Sequence, residues 1–178
     1  MANRLGDPTA RNLGRLSFNP IVHIDPIGTL LMPLLSAFSP IPLLGWAKPV
    51  PVDLRFLRHP RRDFMFIAAA GPISNLLQAF ALAAVFRLFY PVTATDLVPA
   101  ILKYAVEMNL MLAFFNLIPV PPLDGGNVLA GLVPESAARV LDQLRQFGFI
   151  ALYALMLSGI LGQLIMPPTD FLLRLLVL

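Results

Sequence analysis

The residues best suited to chemistry lie in one run, Asn116-Leu117-Ile118-Pro119-Val120-Pro121-Pro122-Leu123-Asp124-Gly125-Gly126. Three prolines unwind the end of an apolar helix, because each removes a backbone donor and frees a carbonyl. Asp124 follows, with two glycines that let a second backbone or a ligand come close. An ionisable side chain beside lipid-depth sequence is by default a functional hypothesis. A carboxylate so placed could hold a cation. It could equally N-cap a helix beginning at Gly125, and local physics leaves the two readings even.

Other polar residues stand near it in the pattern. Asn109 and Asn116 are seven apart and share a helix face, where an amide could donate to developing oxyanion charge; interhelical glue is the blander role. Gly71, Asn75 and Gln78 share a face of an earlier apolar helix, and Asn75 either satisfies a carbonyl freed at Gly71-Pro72 or contacts a peptide. His23 and His59 have no second histidine at the i, i+4 spacing that places two imidazoles on one helix face. Serine hydrolase, Walker and dinucleotide patterns are absent, and with no cysteine there is neither a disulfide nor a thiolate metal site.

These residues are embedded in an unusually apolar chain. Of 178 residues, 57% are hydrophobic and only 13% charged, against about a quarter charged in ordinary globular domains. Too few polar residues remain to coat a water-facing surface, so lipid must cover part of it. The net charge of +3 does not point to nucleic acid, because Arg55, Arg58, Arg61 and Arg62 stand just before an apolar run, the place of a cytoplasmic anchor. The first 25 residues lack the apolar core of a cleaved leader.

The pattern predicts an all-α, polytopic membrane bundle in one domain over 1–178, with a small strand-containing element. Residues 1–25 read as turns and short strands. Residues 27–45 are uncharged but interrupted by Pro33, Pro40 and Pro42, and read as a broken or re-entrant segment. The basic stretch 46–63 contains K-P-V-P-V, which suits an edge strand because proline cannot donate to a central ladder. Three transmembrane helices follow, at 64–90, 99–118 and 147–166. Ala151, Ala154, Ser158 and Gly162 form a small-residue stripe on the third. Residues 134–146 read as an amphipathic surface helix, and 169–178 as a short interfacial segment. Five basic residues in 46–63 and two in 119–146, against none in 91–98, orient the chain in the cytoplasmic (inner) membrane with Asp124 near the cytoplasmic face.

At this point the chain resembles the site-2 protease family of intramembrane zinc metalloproteases. The matching strings are L-G-D-P-T-A (5–10), G-R-L-S-F-N-P-I-V-H-I-D-P-I-G-T (14–29), G-W-A-K-P-V-P-V (45–52), R-H-P-R-R-D (58–63), A-G-P-I-S-N (70–75) and F-N-L-I-P-V-P-P-L-D-G-G (115–126). They follow the family's order and cover most of 5–133. The resemblance implies zinc as cofactor and a membrane-spanning protein as substrate, cut within its helix. It implies that Asp124 is a zinc ligand, that Asn116 helps bind the reacting carbonyl, and that Asn75, Lys48 and Val50 contact substrate. Lipid and a transmembrane substrate or partner helix are the expected partners, and nucleic acid is not.

One departure is large. The family's H-E-x-x-H helix, which supplies two zinc ligands and the water-activating glutamate, occurs nowhere in this sequence. A catalytic zinc site takes three protein ligands plus water, so the chain as written is expected to be inactive. In the family that helix stands just before L-G-D-P-T-A, and an upstream reading frame is expected to reveal it. Two alternatives have different requirements. A non-catalytic pseudoprotease would bind membrane helices without zinc; a small transporter would use the broken helices and Asp124, although no inverted repeat is visible.

Overall fold

The computed structural model describes every residue except 18, 39–44, 94, 95 and 178. The chain forms two compact units, Met1–Pro60 and Arg61–Leu178. Among the described residues both are helical and neither contains a β-strand. The expected strand-containing element is therefore corrected.

In the first unit, 1–25 form short helical turns rather than strands: α1 (Ala2–Leu5), α2 (Thr9–Asn12) and a 3-10 turn at Pro20–His23. The reason is local. Asp7 accepts from the Thr9 N–H and Asn19 accepts from the Ile21 N–H, and such local side-chain-to-backbone bonds favour turns over ladders. Residues 45–53 have no regular structure. Pro49 and Pro51 bring no N–H, and two donors that precede them are engaged elsewhere. The Trp46 N–H donates to the Gly28 carbonyl, and the Lys48 N–H to His23.

Pro26–Leu31 form a π-helical turn leading into α3 (Met32–Phe38). The part of 27–45 at 39–44 lies outside the described residues. Its flanks meet, however: Trp46 is hydrogen-bonded to Gly28 at 3.0 Å, the Thr29 hydroxyl donates to the Trp46 carbonyl at 2.9 Å, and the indole lies where a Gly28 Cβ would stand. Gly28 and Trp46 therefore sit at one level, whereas the ends of a full crossing stand about 30 Å apart.

The second unit is a helical bundle. It contains α4 (Pro60–Phe89), α5 (Leu97–Leu117), α6 (Asp124–Leu132), α7 (Glu135–Leu144), α8 (Gly148–Leu157) and α9 (Ile160–Val177). Among the described residues, four stretches are long and apolar enough to cross a membrane: Pro60–Phe89, Leu97–Leu117, Glu135–Leu157 and Ile160–Val177. At about 1.5 Å per residue, α4 alone reaches roughly 45 Å. Pro72 lies inside it without ending it. Leu77, Leu88, Leu97 and Ile150 point outward, as expected where lipid is the solvent. Ala79, Ala83 and Phe86 of α4 pack with Val106 and Leu110 of α5 and Val177 of α9; the two alanines let the helices approach closely.

The expected third span, 147–166, is not one helix. It breaks after Leu157, where Gly159 takes φ 76°, and the tail expected along the interface is the end of α9. Helix α9 continues through Pro167 and Pro168, where sequence alone would stop it. The buried Thr169 hydroxyl donates to the Ile165 carbonyl at 2.8 Å, the kind of local repair that lets apolar helices carry proline. The small-residue stripe does not pack as one surface, since a Cβ on Gly162 would meet nothing within 4 Å.

Two anchors fix the course of α8 and α9. Gly148 abuts the Pro121 carbonyl, just beyond the end of α5. At the other end, the Arg87 guanidinium donates to the Leu175 and Leu176 carbonyls at 2.9 and 2.8 Å. The pair thus runs from one end of α4–α5 to the other. At that far end Lys103 donates to the Val92 carbonyl at 2.8 Å and lies 5.0 Å over the Phe86 ring.

Candidate functional site

Helix α5 ends at Leu117, and the proline run carries the chain to α6. Gly125 sits so tightly on the preceding turn that a Cβ there would lie 2.3 Å from the Leu117 carbonyl oxygen and 2.4 Å from that of Ile118. Gly126 is similarly close to Pro121, at 2.8 Å. Only glycine permits this fold-back. The turn presents Asp124 as the first residue of α6.

Asp124 does not N-cap a helix beginning at Gly125. The helix begins at Asp124 itself, its N-cap position is Leu123, and no side chain caps it. The carboxylate benefits from the positive end of the helix dipole, yet it makes no hydrogen bond or ion pair among the described residues. It is half-buried, and burial raises its carboxyl above the ordinary carboxylate range. Its Oδ2 lies 3.0 Å from where a Gly71 Cβ would stand. An acid is thus aimed at the one residue of that helix turn with no side chain.

Asn75 lies one turn beyond Gly71 on α4, half-buried and without a hydrogen bond among the described residues. Gln78 donates instead to the Ser74 carbonyl and hydroxyl, at 3.3 Å each. Asn116 is also half-buried, and its amide donates back to the Leu112 carbonyl of its own helix at 2.8 Å; Asn109 does the same to Ala105. Among the described residues neither bonds to a second helix. The Asn116 amide retains a second N–H for another acceptor.

Lys48 and Val50 lie in the first unit, with exposed side chains. Sequence reasoning missed what holds their backbone. The Arg15 guanidinium bonds the carbonyls of Val22, Lys48 and Pro49, and no local pattern around Arg15 announces three acceptors.

Asp124 has the donor chemistry of one zinc ligand. No group of three His, Cys, Asp or Glu able to hold a metal occurs among the described residues, so they do not make a complete zinc site.

Fold and site together describe a multi-pass membrane protein with an acid, unpaired among the described residues, beside a proline-broken helix end. Comparisons place it more narrowly. The family model for Peptidase family M50 matches residues 90–159. A candidate zinc metalloprotease of Bacillus subtilis, YwhC, is 35% identical over 174 residues, covering 94% of this chain and 76% of that protein. Rip2 of Mycobacterium tuberculosis, also named as a candidate zinc metalloprotease, is 31% identical over 164 residues, covering 89% of this chain and 60% of its own length. A third so named, MJ0611 of Methanocaldococcus jannaschii, is 40% identical over 63 residues, 35% of this chain and 31% of that protein. No solved structure matches significantly. The chain belongs to Peptidase family M50, the site-2 proteases.

Proposed function

We propose that these residues form the carboxylate-bearing part of a membrane-embedded zinc metallopeptidase that hydrolyses peptide bonds within membrane-spanning substrates. Asp124 carries the reading: a half-buried acid, unpaired among the described residues, at a helix start and against a bare glycine. A purely structural carboxylate would have found donors. In this reading Asp124 is one zinc ligand and Asn116 binds the scissile carbonyl with its free N–H. Asn75, Lys48 and Val50 contact the substrate. The two missing ligands and the water-activating glutamate come from an H-E-x-x-H helix outside these 178 residues, which alone cut nothing. The site faces the cytoplasmic side of the inner membrane, 27–45 is a broken or re-entrant segment, and 1–178 form one membrane-embedded domain.

The test compares three proteins in lipid nanodiscs: the 178-residue chain, the chain extended at its amino end by a helix carrying H-E-x-x-H, and the extended Asp124→Asn variant. Zinc content and cleavage of a single-span substrate are measured. Only the extended protein should hold close to one zinc and cut. Asp124→Asn should weaken zinc retention by about 100-fold, at or beyond the upper end seen for losing an outer-shell partner. Cleavage by the 178 residues alone, or undiminished zinc in Asp124→Asn, would reject the proposal. Substrate capture without cleavage by the extended protein would replace it with the non-catalytic helix-binding reading.

A further inference from the structure

We infer that Arg61 is the positioning residue for Asp124, acting through α6 from the opposite end of that helix. Helix α6 has nine residues, too few to hold its place without tertiary contacts. Its amino end is fixed by the packing of Gly125 and Gly126. At its carboxyl end the last carbonyls have no partner within the helix, and Arg61 supplies one. Its Nε donates to the Ala130 carbonyl at 2.7 Å and its Nη2 to the Val133 carbonyl. One planar fork thus takes two acceptors, and its charge meets the negative end of the helix dipole.

The contact continues along α4. One turn after Arg61, Met65 fills the space over Gly131, where a Cβ would lie 2.5 Å from that of Met65. Further along, Gly71 faces Asp124. From Arg61 to Gly71 is a rise of about 15 Å, and from Val133 back to Asp124 about 14 Å. The two helices therefore lie alongside in opposite directions, in register at both ends. A helix so short moves as a rigid piece, so releasing its carboxyl end lets it slide or tilt. The Asp124 carboxylate at the other end then leaves Gly71.

That Asp124 is a metal ligand rests on the proposed function; the hold of Arg61 on α6 does not, and the test contains no metal. The 178-residue chain has no native cysteine, so Gly71→Cys with Asp124→Cys gives one reporter pair, read as the rate of disulfide formation on adding oxidant. Arg61→Ala should slow that rate by about tenfold, reflecting loss of a charge-assisted fork. Arg61→Lys, with one point charge in place of the fork, should fall between. Arg87→Ala is the matched control, because Arg87 caps α9 in the same manner and should leave the rate unchanged. Thermal unfolding midpoints separate a local release from general loss of the fold; should Arg61→Ala not fold, Arg61→Gln is judged by the same criterion. An unchanged rate in the Arg61 variants, or equal slowing by Arg61→Ala and Arg87→Ala, would overturn the inference.

Discussion

Two acids in this chain, Asp7 and Asp124, begin from similar local sequence and end in opposite states. Each stands beside a glycine that admits a backbone carbonyl. Gly6, at φ 111°, would place a Cβ 2.8 Å from the Phe56 carbonyl oxygen, and Gly125 would place one 2.3 Å from that of Leu117. Asp7 is fully buried, and accepts from the Thr9 N–H at 2.9 Å, the Thr9 hydroxyl at 2.5 Å and the Asp53 N–H at 3.0 Å. Burial pushes its carboxyl up, and the nearby Asp53 carboxylate adds to that, but these three donors outweigh both and hold it below the usual range. Asp124 is half-buried and meets no donor among the described residues, and burial raises its carboxyl. The donors decide the direction of the shift.

The contrast can be tested first where the two acids agree. Gly125→Ala should be the most damaging single change, costing about 3 kcal/mol or more because the clashing atoms are backbone and cannot turn aside. Gly6→Ala should cost roughly 2 kcal/mol through left-handed strain and contact with Phe56. Both are read by denaturant unfolding in mild detergent. Equal tolerance of alanine at the two positions would remove the common framework.

Next come the acids themselves. Asp7→Ala should destabilise by about 2 kcal/mol, since hydrogen bonds to a charged acceptor are lost and buried donors stay unmet. Asp124→Asn should do the reverse, stabilising the 178-residue chain by about 1 kcal/mol through removal of an unpaired, partly buried charge. A loss of stability in Asp124→Asn would show that the carboxylate has a structural partner after all, and the contrast would fail.

The smallest expected effect is in pH. A carboxyl held low in the fold contributes stability that is complete above its unfolded value, near 4, and lost as pH falls through the folded value. Asp7 therefore steepens the acid limb, and Asp7→Asn should flatten it. A carboxyl held high contributes fully below that unfolded value and loses its contribution as pH rises through the folded one. Asp124→Asn should accordingly remove a shallow decline on the way from acid to neutral pH. Unfolding midpoints at several pH values read both slopes.

Much of the bundle was legible because lipid burial writes itself into composition. The uncharged runs that became α4 and α5 needed nothing more than length and apolarity. The prolines misled in both directions. Pro119, Pro121 and Pro122 end α5 as their chemistry dictates, whereas Pro167 and Pro168 sit inside α9, whose C-terminal half packs on α4 and α5. The break fell instead at Gly159, whose positive φ has no distinctive neighbourhood in the sequence. K-P-V-P-V reads as an edge strand, but a strand needs a ladder; Pro49 and Pro51 lack donors, and the N–H of Lys48 was taken by His23.

The sequence by itself determined that the protein is a membrane one, that it belongs among the site-2 proteases, and that Asp124 is the acid to watch. Those properties reside in residue type and in spacing along one stretch of chain. Tertiary structure alone decided that Asp53 adds a third donor to the two that Thr9 gives Asp7 while Asp124 meets none among the described residues, that Gly71 lies opposite the Asp124 carboxylate, and that Arg61 secures the far end of its helix. The bond from Asp53 to Asp7, the approach of Gly71 to Asp124 and the hold of Arg61 on Ala130 and Val133 join residues 46 to 72 positions apart in the chain. The partners of a charge are set by what folding brings alongside it, and no local pattern encodes that.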